Sequence, residues 1–188
     1  MKIALTFDDG PHPINTPKIL DILSTYGIKA TFFEIGENVG YYTEVSRRVL
    51  EEGHEIGNHT FSHPNMSKEK TNLAAEIKKC EDAIENHLGY KSHLFRPPEG
   101  VVDASIKDAA CKSGYNVILW SIDTRDWAKT PKNTIISEVM KNIHPGAIIL
   151  MHDYTGKDCH TVEALDELIP KLIAQGYSFV TVSELLGV

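Results

Sequence analysis

The stretch Lys2-Ile3-Ala4-Leu5-Thr6-Phe7-Asp8-Asp9-Gly10-Pro11 decides how the rest of the chain is read. Its first six residues read as a short strand. The strand stops on two adjacent carboxylates, and Gly-Pro then turns the chain sharply. Like charges crowded at a strand end cost free energy unless a cation or a base shares the site. Taken alone, Asp-Asp-Gly reads first as a capping turn on the surface. The choice between these readings depends on whether other polar clusters gather at equivalent places.

Outward from that strand, β-rich runs alternate with helical periods. Thr16-Pro17 offers an N-cap followed by proline at the first helical position, and Gly27 closes that helix. Further strands are expected over 29–35, 54–57, 94–96, 115–121, 147–151 and 178–182. The helices between them are expected over 43–52, 67–88, 103–113, 130–143 and 162–175. In the longest helix Leu73, Ile77, Cys80, Ile84 and Leu88 recur every three or four residues as one buried stripe, so Cys80 reads as core. Alternating strands and helices imply parallel pairing. About seven such units in 188 residues exceed what an open sheet usually holds, which favours an irregular (β/α)7-type barrel related to the TIM barrel. No repeat, low-complexity tract or linker interrupts it, so residues 1–188 read as a single catalytic domain.

Composition narrows the function. Twenty-six acids against 19 bases give a net charge of -7, which argues against a phosphate-backbone partner. No apolar run approaches the ~20 residues of a membrane span, and no signal-like apolar core opens the chain. Cys80, Cys111 and Cys159 are too few and scattered for a disulfide framework. Buried reduced thiols are the preferred reading, with one pair plus a free thiol as the alternative.

Barrels of this kind place chemistry at the carboxyl ends of strands. Polar clusters lie at five such ends: Thr6-Phe-Asp-Asp-Gly10, His59-Thr-Phe-Ser-His63, Arg96-Pro-Pro-Glu-Gly100, Asp123-Thr-Arg-Asp-Trp127 and Leu150-Met-His152. His59 and His63, four apart, can present two imidazoles to one ion. With Asp9 they make a facial N,N,O set that leaves a position open for water, as a catalytic Zn²⁺ site requires. The prolines at 97 and 98 fix the backbone so that a following amide N–H can be aimed rigidly.

These five motifs, in this order and across residues 6–152, resemble those of the polysaccharide deacetylases, carbohydrate esterase family four. The resemblance implies a role for each matching residue. Asp9, His59 and His63 would hold a divalent metal, most often zinc, with cobalt or nickel able to substitute. Asp8 would be the general base toward the attacking water, and Arg96 would pair with Asp8. The metal and the backbone N–H of Glu99 would stabilise the oxyanion. His152 would protonate the leaving group, and Asp126, preferred over Asp123, would keep that imidazole charged. Trp127, Leu150 and Pro98 would flank the substrate groove. The family usually has tyrosine where Glu99 stands, so no role carries over to that side chain.

The implied activity is hydrolysis of acetyl groups from a polysaccharide, foremost N-deacetylation of a chitin-like or peptidoglycan N-acetylglucosamine polymer. Acetylxylan esterase is the alternative, and an inert carbohydrate-binding domain is the non-enzymatic one. A serine hydrolase would need a Gly-x-Ser-x-Gly elbow, which is absent. A zincin would need histidine where Asn58 stands, and a glycosidase needs carboxylates facing each other across a sugar. His12, His87, His93, His144 and His160 fit no motif, and Trp120 reads as core. Asp158-Cys159-His160 reads as a plain loop before a helix, with adventitious metal binding as the alternative. The family's usual setting implies an extracellular or cell-envelope enzyme; the chain itself is expected to be a monomer and a catalytic domain cut from a longer exported protein.

Overall fold

The computed structural model of the chain describes residues 1–66, 72–154 and 159–188. Among the described residues, eight strands form one sheet in which every pairing is parallel. They are β1 (Lys2–Asp8), β2 (Thr31–Glu34), β3 (Glu55–Asn58), β4 (Leu94–Phe95), β5 (Asn116–Val117), β6 (Ile122–Asp123), β7 (Ile148–His152) and β8 (Ser178–Phe179). Their order is β5-β4-β3-β2-β1-β7-β6, and β8 adds to β1 at its start. The helices are α1 (Asn15–Thr25), α2 (Gly36–Tyr41), α3 (Thr43–Glu51), α4 (Leu73–Leu88), α5 (Ala104–Lys112), α6 (Lys132–Asn142), α7 (Thr161–Ala174) and α8 (Val182–Leu186). This is the curled parallel sheet that the alternation predicts.

The seam of the barrel corrects one expectation. The run 115–121 is not one strand: β5 pairs with β4 at one edge of the sheet, and β6 pairs with β7 at the other. Residues 118–121 bridge the two edges, with Ile118 N–H on Phe95 O at 2.8 Å and Ser121 N–H on Ile148 O at 3.0 Å. Continuous β propensity conceals this bend, because propensity does not say which partner each residue pairs with.

Strand parity sorts side chains into two layers. From β1, Ile3, Leu5 and Phe7 pack outward with Phe32, Ile56, Ile149 and Met151 against Leu20, Leu23, Leu165 and Leu168 of the helices. Ala4 packs inward with Phe33, Leu94, Ile118 and Val182. Thr6 and Asp8 share the parity of Ala4, so the same alternation that buries Phe7 under helices turns Asp8 into the barrel. Both faces are covered, and only Lys2 of β1 is exposed.

Several caps differ from expectation. Thr16 lies inside α1, not at its cap: its Oγ1 accepts from His12 N–H and donates to Asp153 Oδ2. His12 Nδ1 instead accepts the N–H groups of Ile14 and Asn15 at the helix start. The hydroxyl of Thr130 goes to Arg125 O, and α6 begins after Pro131 without a side-chain cap. In α4, Asn72 Oδ1 accepts from Ala75 N–H, while the start expected at Ser67 lies outside the described residues. The strand expected over 178–182 ends at Phe179, and Thr181 caps the short α8. All three cysteines are free, with Cys80 buried in the stripe as read, Cys111 exposed and Cys159 half-buried. No helix among the described residues is long and apolar enough to cross a membrane.

Candidate active site

At the carboxyl end of β1 the chain turns at Asp9, whose φ of 75° is a left-handed conformation uncommon for a non-glycine residue. Asn38 Nδ2 fixes the turn by donating to Asp9 O at 2.9 Å. The carboxylates of Asp8 and Asp9 thereby diverge. Asp8 Oδ1 receives Arg96 Nη1 at 2.7 Å, and the same nitrogen reaches Thr6 Oγ1 at 2.8 Å.

Arg96 is wholly buried, with its guanidinium 4.0 Å from the centroid of Phe33. Its Nε and Nη2 donate to Ile118 O and Leu119 O, so it also satisfies carbonyls at the barrel seam. Burial pulls its pKa down from the usual arginine value despite the Asp8 carboxylate beside it.

The segment after β3 is a tight loop, not a helical turn. Asn58 Oδ1 accepts from Thr60 N–H, and Thr60 Oγ1 from His63 N–H. Thr60 and His63 both have positive φ. From α4, Glu76 Oε2 accepts Phe61 N–H, Ser62 N–H and Ser62 Oγ. His59 Nδ1–H donates to Arg96 O at 2.7 Å, which fixes the tautomer with its Nε2 lone pair facing the pocket.

Nε2 of His59 and of His63 each lie 3.3 Å from Asp9 Oδ1. One ligand atom from each of the three residues falls within a 4.8 Å cluster. Asp9 Oδ1 is buried without a hydrogen-bond partner among the described residues. An orphaned carboxylate oxygen between two imidazole nitrogens, in a borderline-soft N,N,O set, fits a divalent transition metal. Burial would raise the Asp9 carboxyl, but His59, His152 and His63 outweigh it and hold it down to about 2. His63 is lowered, first by burial.

Across the pocket, Asp126 sits in a 3-10 turn, Asp126–Ala128, entered through Arg125 at φ 53°. Its Oδ1 lies 2.8 Å from His152 Nδ1, and its Oδ2 accepts His152 N–H at 2.8 Å. Burial opposes charge on His152, yet Asp126 and then the Asp8 and Asp9 charges raise it to about 9. Asp123 accepts Arg125 N–H instead and lies on the pocket wall. Of the two loop aspartates, Asp126 is the one the fold brings to His152.

The pocket has a volume of about 460 Å³ and is lined by Asp8, Asp9, His59, His63, Glu99, Gly100, Trp120, Asp123, Trp127, Leu150 and His152. Glu99 has φ 58° and its Oε1 accepts Asn65 Nδ2 at 3.2 Å. Pro98, expected on the groove, is buried and absent from that lining, because the left-handed turn at Glu99 and Gly100 carries those two residues to the wall. Trp120, expected in the core, lines the pocket. The seam bend takes it out of any strand, and a Cβ on Gly100 would lie 2.5 Å from its ring. Trp127 is 55% exposed at the mouth. His160 contacts Glu163, and Asp158 lies outside the described residues.

Sequence reasoning missed Thr6, Glu76, Thr161 and Asp153. Thr6 had a signal, since i,i+2 spacing on β1 puts it on the face of Asp8. Glu76 and Thr161 act from distant elements, whereas Asp153 directly follows His152. Asp153 packs so closely on Gly10 that a Cβ there would meet its carboxylate at 2.3 Å. Burial pushes Asp153 up to about 7 against the hydrogen bond from Thr16.

Residues 1–118 match the polysaccharide deacetylase family. A peptidoglycan-N-acetylglucosamine deacetylase of Bacillus cereus is 44% identical over 189 residues, covering 98% of this chain and 87% of that sequence. A chitooligosaccharide deacetylase of Bradyrhizobium sp. is 37% identical over 196 residues, covering 93% and 86%. A crystal structure of a peptidoglycan N-acetylglucosamine deacetylase in complex with an N-oxidanyl-benzamide superposes with a TM-score of 0.92 at 39% identity, over 98% of this chain and 87% of that one. Curated relatives vary in length, and the chain spans from 38% to 90% of them. By sequence and by fold, the chain belongs to the polysaccharide deacetylase family and carries its irregular barrel.

Proposed function

We propose that this chain is a metal-dependent deacetylase that releases acetate from N-acetylglucosamine polymers, chitin-like or peptidoglycan. One observation carries the reading. A single pocket opposes a carboxylate held by a permanent cation, Asp8 on Arg96, to an imidazole held charged by a buried carboxylate, His152 on Asp126. Hydrolysis of an amide needs a base for water and an acid for the departing amine, and these two groups flank the Asp9, His59, His63 cluster.

Asp9, His59 and His63 would hold the metal, with zinc the ion that best suits an N,N,O set. When bound, the cation supplies Lewis acidity, making hydroxide available near neutral pH and polarising a carbonyl. Arg96 occupies Oδ1 of Asp8, which leaves Oδ2, 3.8 Å from His59 Nε2, to accept the proton of the attacking water. The backbone N–H of Glu99, aimed by the rigid Pro97-Pro98 turn, donates to the oxyanion. Such a donor typically contributes ~2.7–4 kcal/mol. His152 has Nδ1–H committed to Asp126, so its Nε2–H protonates the leaving nitrogen as the C–N bond breaks, and acetate departs. Trp120, Trp127 and Leu150 form the apolar walls that receive the sugar and its acetyl group.

The names of the relatives, two peptidoglycan deacetylases and a chitooligosaccharide deacetylase, support an amide over an ester substrate. They also support action at the cell envelope or outside the cell. The test is acetate release from chitopentaose, peptidoglycan and acetylxylan, before chelation, after it, and after Zn²⁺ is restored. Chelator-sensitive, zinc-restored release from either N-acetyl polymer is expected. Release from acetylxylan alone would make the chain an esterase, and chelator-insensitive release would overturn the metal-dependent mechanism.

A further inference from the structure

Asp126 is 1% exposed, and among the described residues its carboxylate accepts four hydrogen bonds. Three come from His152 itself or from the next residue in the chain: His152 N–H and Trp127 N–H, at 2.8 and 3.0 Å, and His152 Nδ1 at 2.8 Å. The fourth comes from α7, 35 residues away, where the hydroxyl of Thr161 donates to Oδ2 at 2.5 Å.

Two features set this hydroxyl apart from an ordinary helix-start threonine. Thr161 is the first residue of α7, and α7 has no side-chain cap, so the hydroxyl does not serve its own helix. It is also 1% exposed, with Cys159 Sγ at 2.7 Å on its other side. A threonine hydroxyl has one proton, and the carboxylate takes it. The thiol is therefore the donor to Thr161 Oγ1, so S–H donates to the hydroxyl and the hydroxyl to the carboxylate, which accepts from the imidazole Nδ1–H on its other oxygen. Donors in series strengthen one another inside a protein. Oδ2 is pinned by Thr161 and by the His152 main chain, which sets the carboxylate plane and hence the direction in which Oδ1 meets Nδ1.

We propose that Thr161 is a positioning residue for the deacetylation: its hydroxyl fixes the Asp126 carboxylate, and through it the tautomer and aim of the His152 imidazole. This rests on the reading of His152 as the proton donor. Thr161→Val keeps the shape and removes the donor, whereas Thr161→Ser keeps the donor. An amide needs its leaving nitrogen protonated and an aryl acetate does not, so the loss should fall on one substrate.

The experiment compares wild type, Thr161→Val and Thr161→Ser on chitopentaose and on 4-nitrophenyl acetate. It also follows the downfield Nδ1–H proton resonance of His152. Thr161→Val should lower kcat on chitopentaose by about tenfold or more, with KM and aryl-acetate turnover within about threefold. Its Nδ1–H resonance should shift or broaden away, and Thr161→Ser should restore both. Equal losses on both substrates, a serine variant as poor as the valine one, or an unmoved resonance would overturn the inference. If Thr161→Val shows no cooperative melting, Thr161→Ala carries the same readouts. A wild type silent on every acetylated polymer would break the proposed function alone, because the imidazole resonance needs no turnover and still decides the role of Thr161.

Discussion

Two carboxylate–cation pairs face each other across the pocket, and they differ first in their cation. Asp8 pairs with Arg96 at 2.7 Å and Asp126 with His152 at 2.8 Å, both nearly or wholly out of solvent. Arginine cannot release its proton, so the first pair is a fixed charge that orients a base. Histidine can, so the second pair is a loaded acid. Similar geometry thus serves opposite chemical ends, and the choice of cation decides which. The supports differ too. Asp8 ends β1 and Arg96 directly follows β4, two strands of one parallel sheet with β2 and β3 between them, while Asp126 stands in a loop turn and is steadied from α7.

The sharpest way to break the comparison is to remove the base. Asp8→Asn keeps the shape but cannot take a proton, and kcat should fall by about 10²- to 10⁴-fold. Zn²⁺ affinity, measured by chelator competition, should stay within a few-fold, because Asp9, His59 and His63 remain. Turnover that survives the substitution would remove Asp8 as base.

Stability separates the pairs next. Arg96→Gln leaves a buried carboxylate without its partner, and truncating one member of such a pair costs about 3–5 kcal/mol. Asp126→Asn leaves an imidazole that can discharge itself by losing a proton, so its cost at pH 8 should be smaller, about 1–2 kcal/mol. Urea midpoints of the two variants measure this difference, and equal losses would erase the distinction between fixed and titratable cations.

The pH dependence follows from the same contrast. His152 is raised from 6.5 to about 9 in the fold. Its contribution to stability is therefore complete below pH 6.5 and is lost as pH rises through about 9, a change on the order of 3 kcal/mol. Activity should fall over the same alkaline range as the imidazolium disappears. In Asp126→Asn that segment of the stability curve should flatten. Parallel curves for wild type and variant between pH 6 and 10 would show that the pair is not its source.

What the sequence made legible divides along this line as well. Asp8, Asp9, His59, His63, Arg96 and His152 all lie at or just after strand ends, and a β/α alternation announces strand ends without any tertiary information. The Asp126 pairing was harder, because Asp123 and Asp126 share one loop and only the αL turn at Arg125 separates them. Thr161 was not legible at all, since a threonine at a helix start is ordinary and its partner lies 35 residues back. Thr16 misled for the converse reason. It looks like a cap beside Pro17, but its hydroxyl is drawn to the buried Asp153, and His12 takes over the capping. The split of 115–121 escaped because a bend between two sheet edges leaves no mark in β propensity.

Glu99 belongs to neither pair, and its effect should be the smallest. Its carboxylate lies on the pocket wall, exposed and held by Asn65 Nδ2, while Asp123 lies on the same wall. A charge in this position is expected to act on the charge of a neighbouring sugar and to take no part in proton transfer. A peptide-free muramic acid neighbour, with its lactyl carboxylate, should be repelled, whereas a glucosamine neighbour, with its amine, should be attracted. At a surface dielectric such a charge is worth about 1 kcal/mol, or roughly fivefold. Glu99→Gln should therefore leave kcat on chitopentaose within about twofold, since the oxyanion donor is the backbone N–H. The ratio of kcat/KM for glucosamine-flanked over muramic-flanked N-acetylglucosamine should drop by roughly fivefold at low salt, and the drop should vanish near 1 M salt, where the Debye length is about 3 Å. A ratio unchanged by the substitution, or a drop indifferent to salt, would mean that this carboxylate does not read the neighbouring sugar's charge.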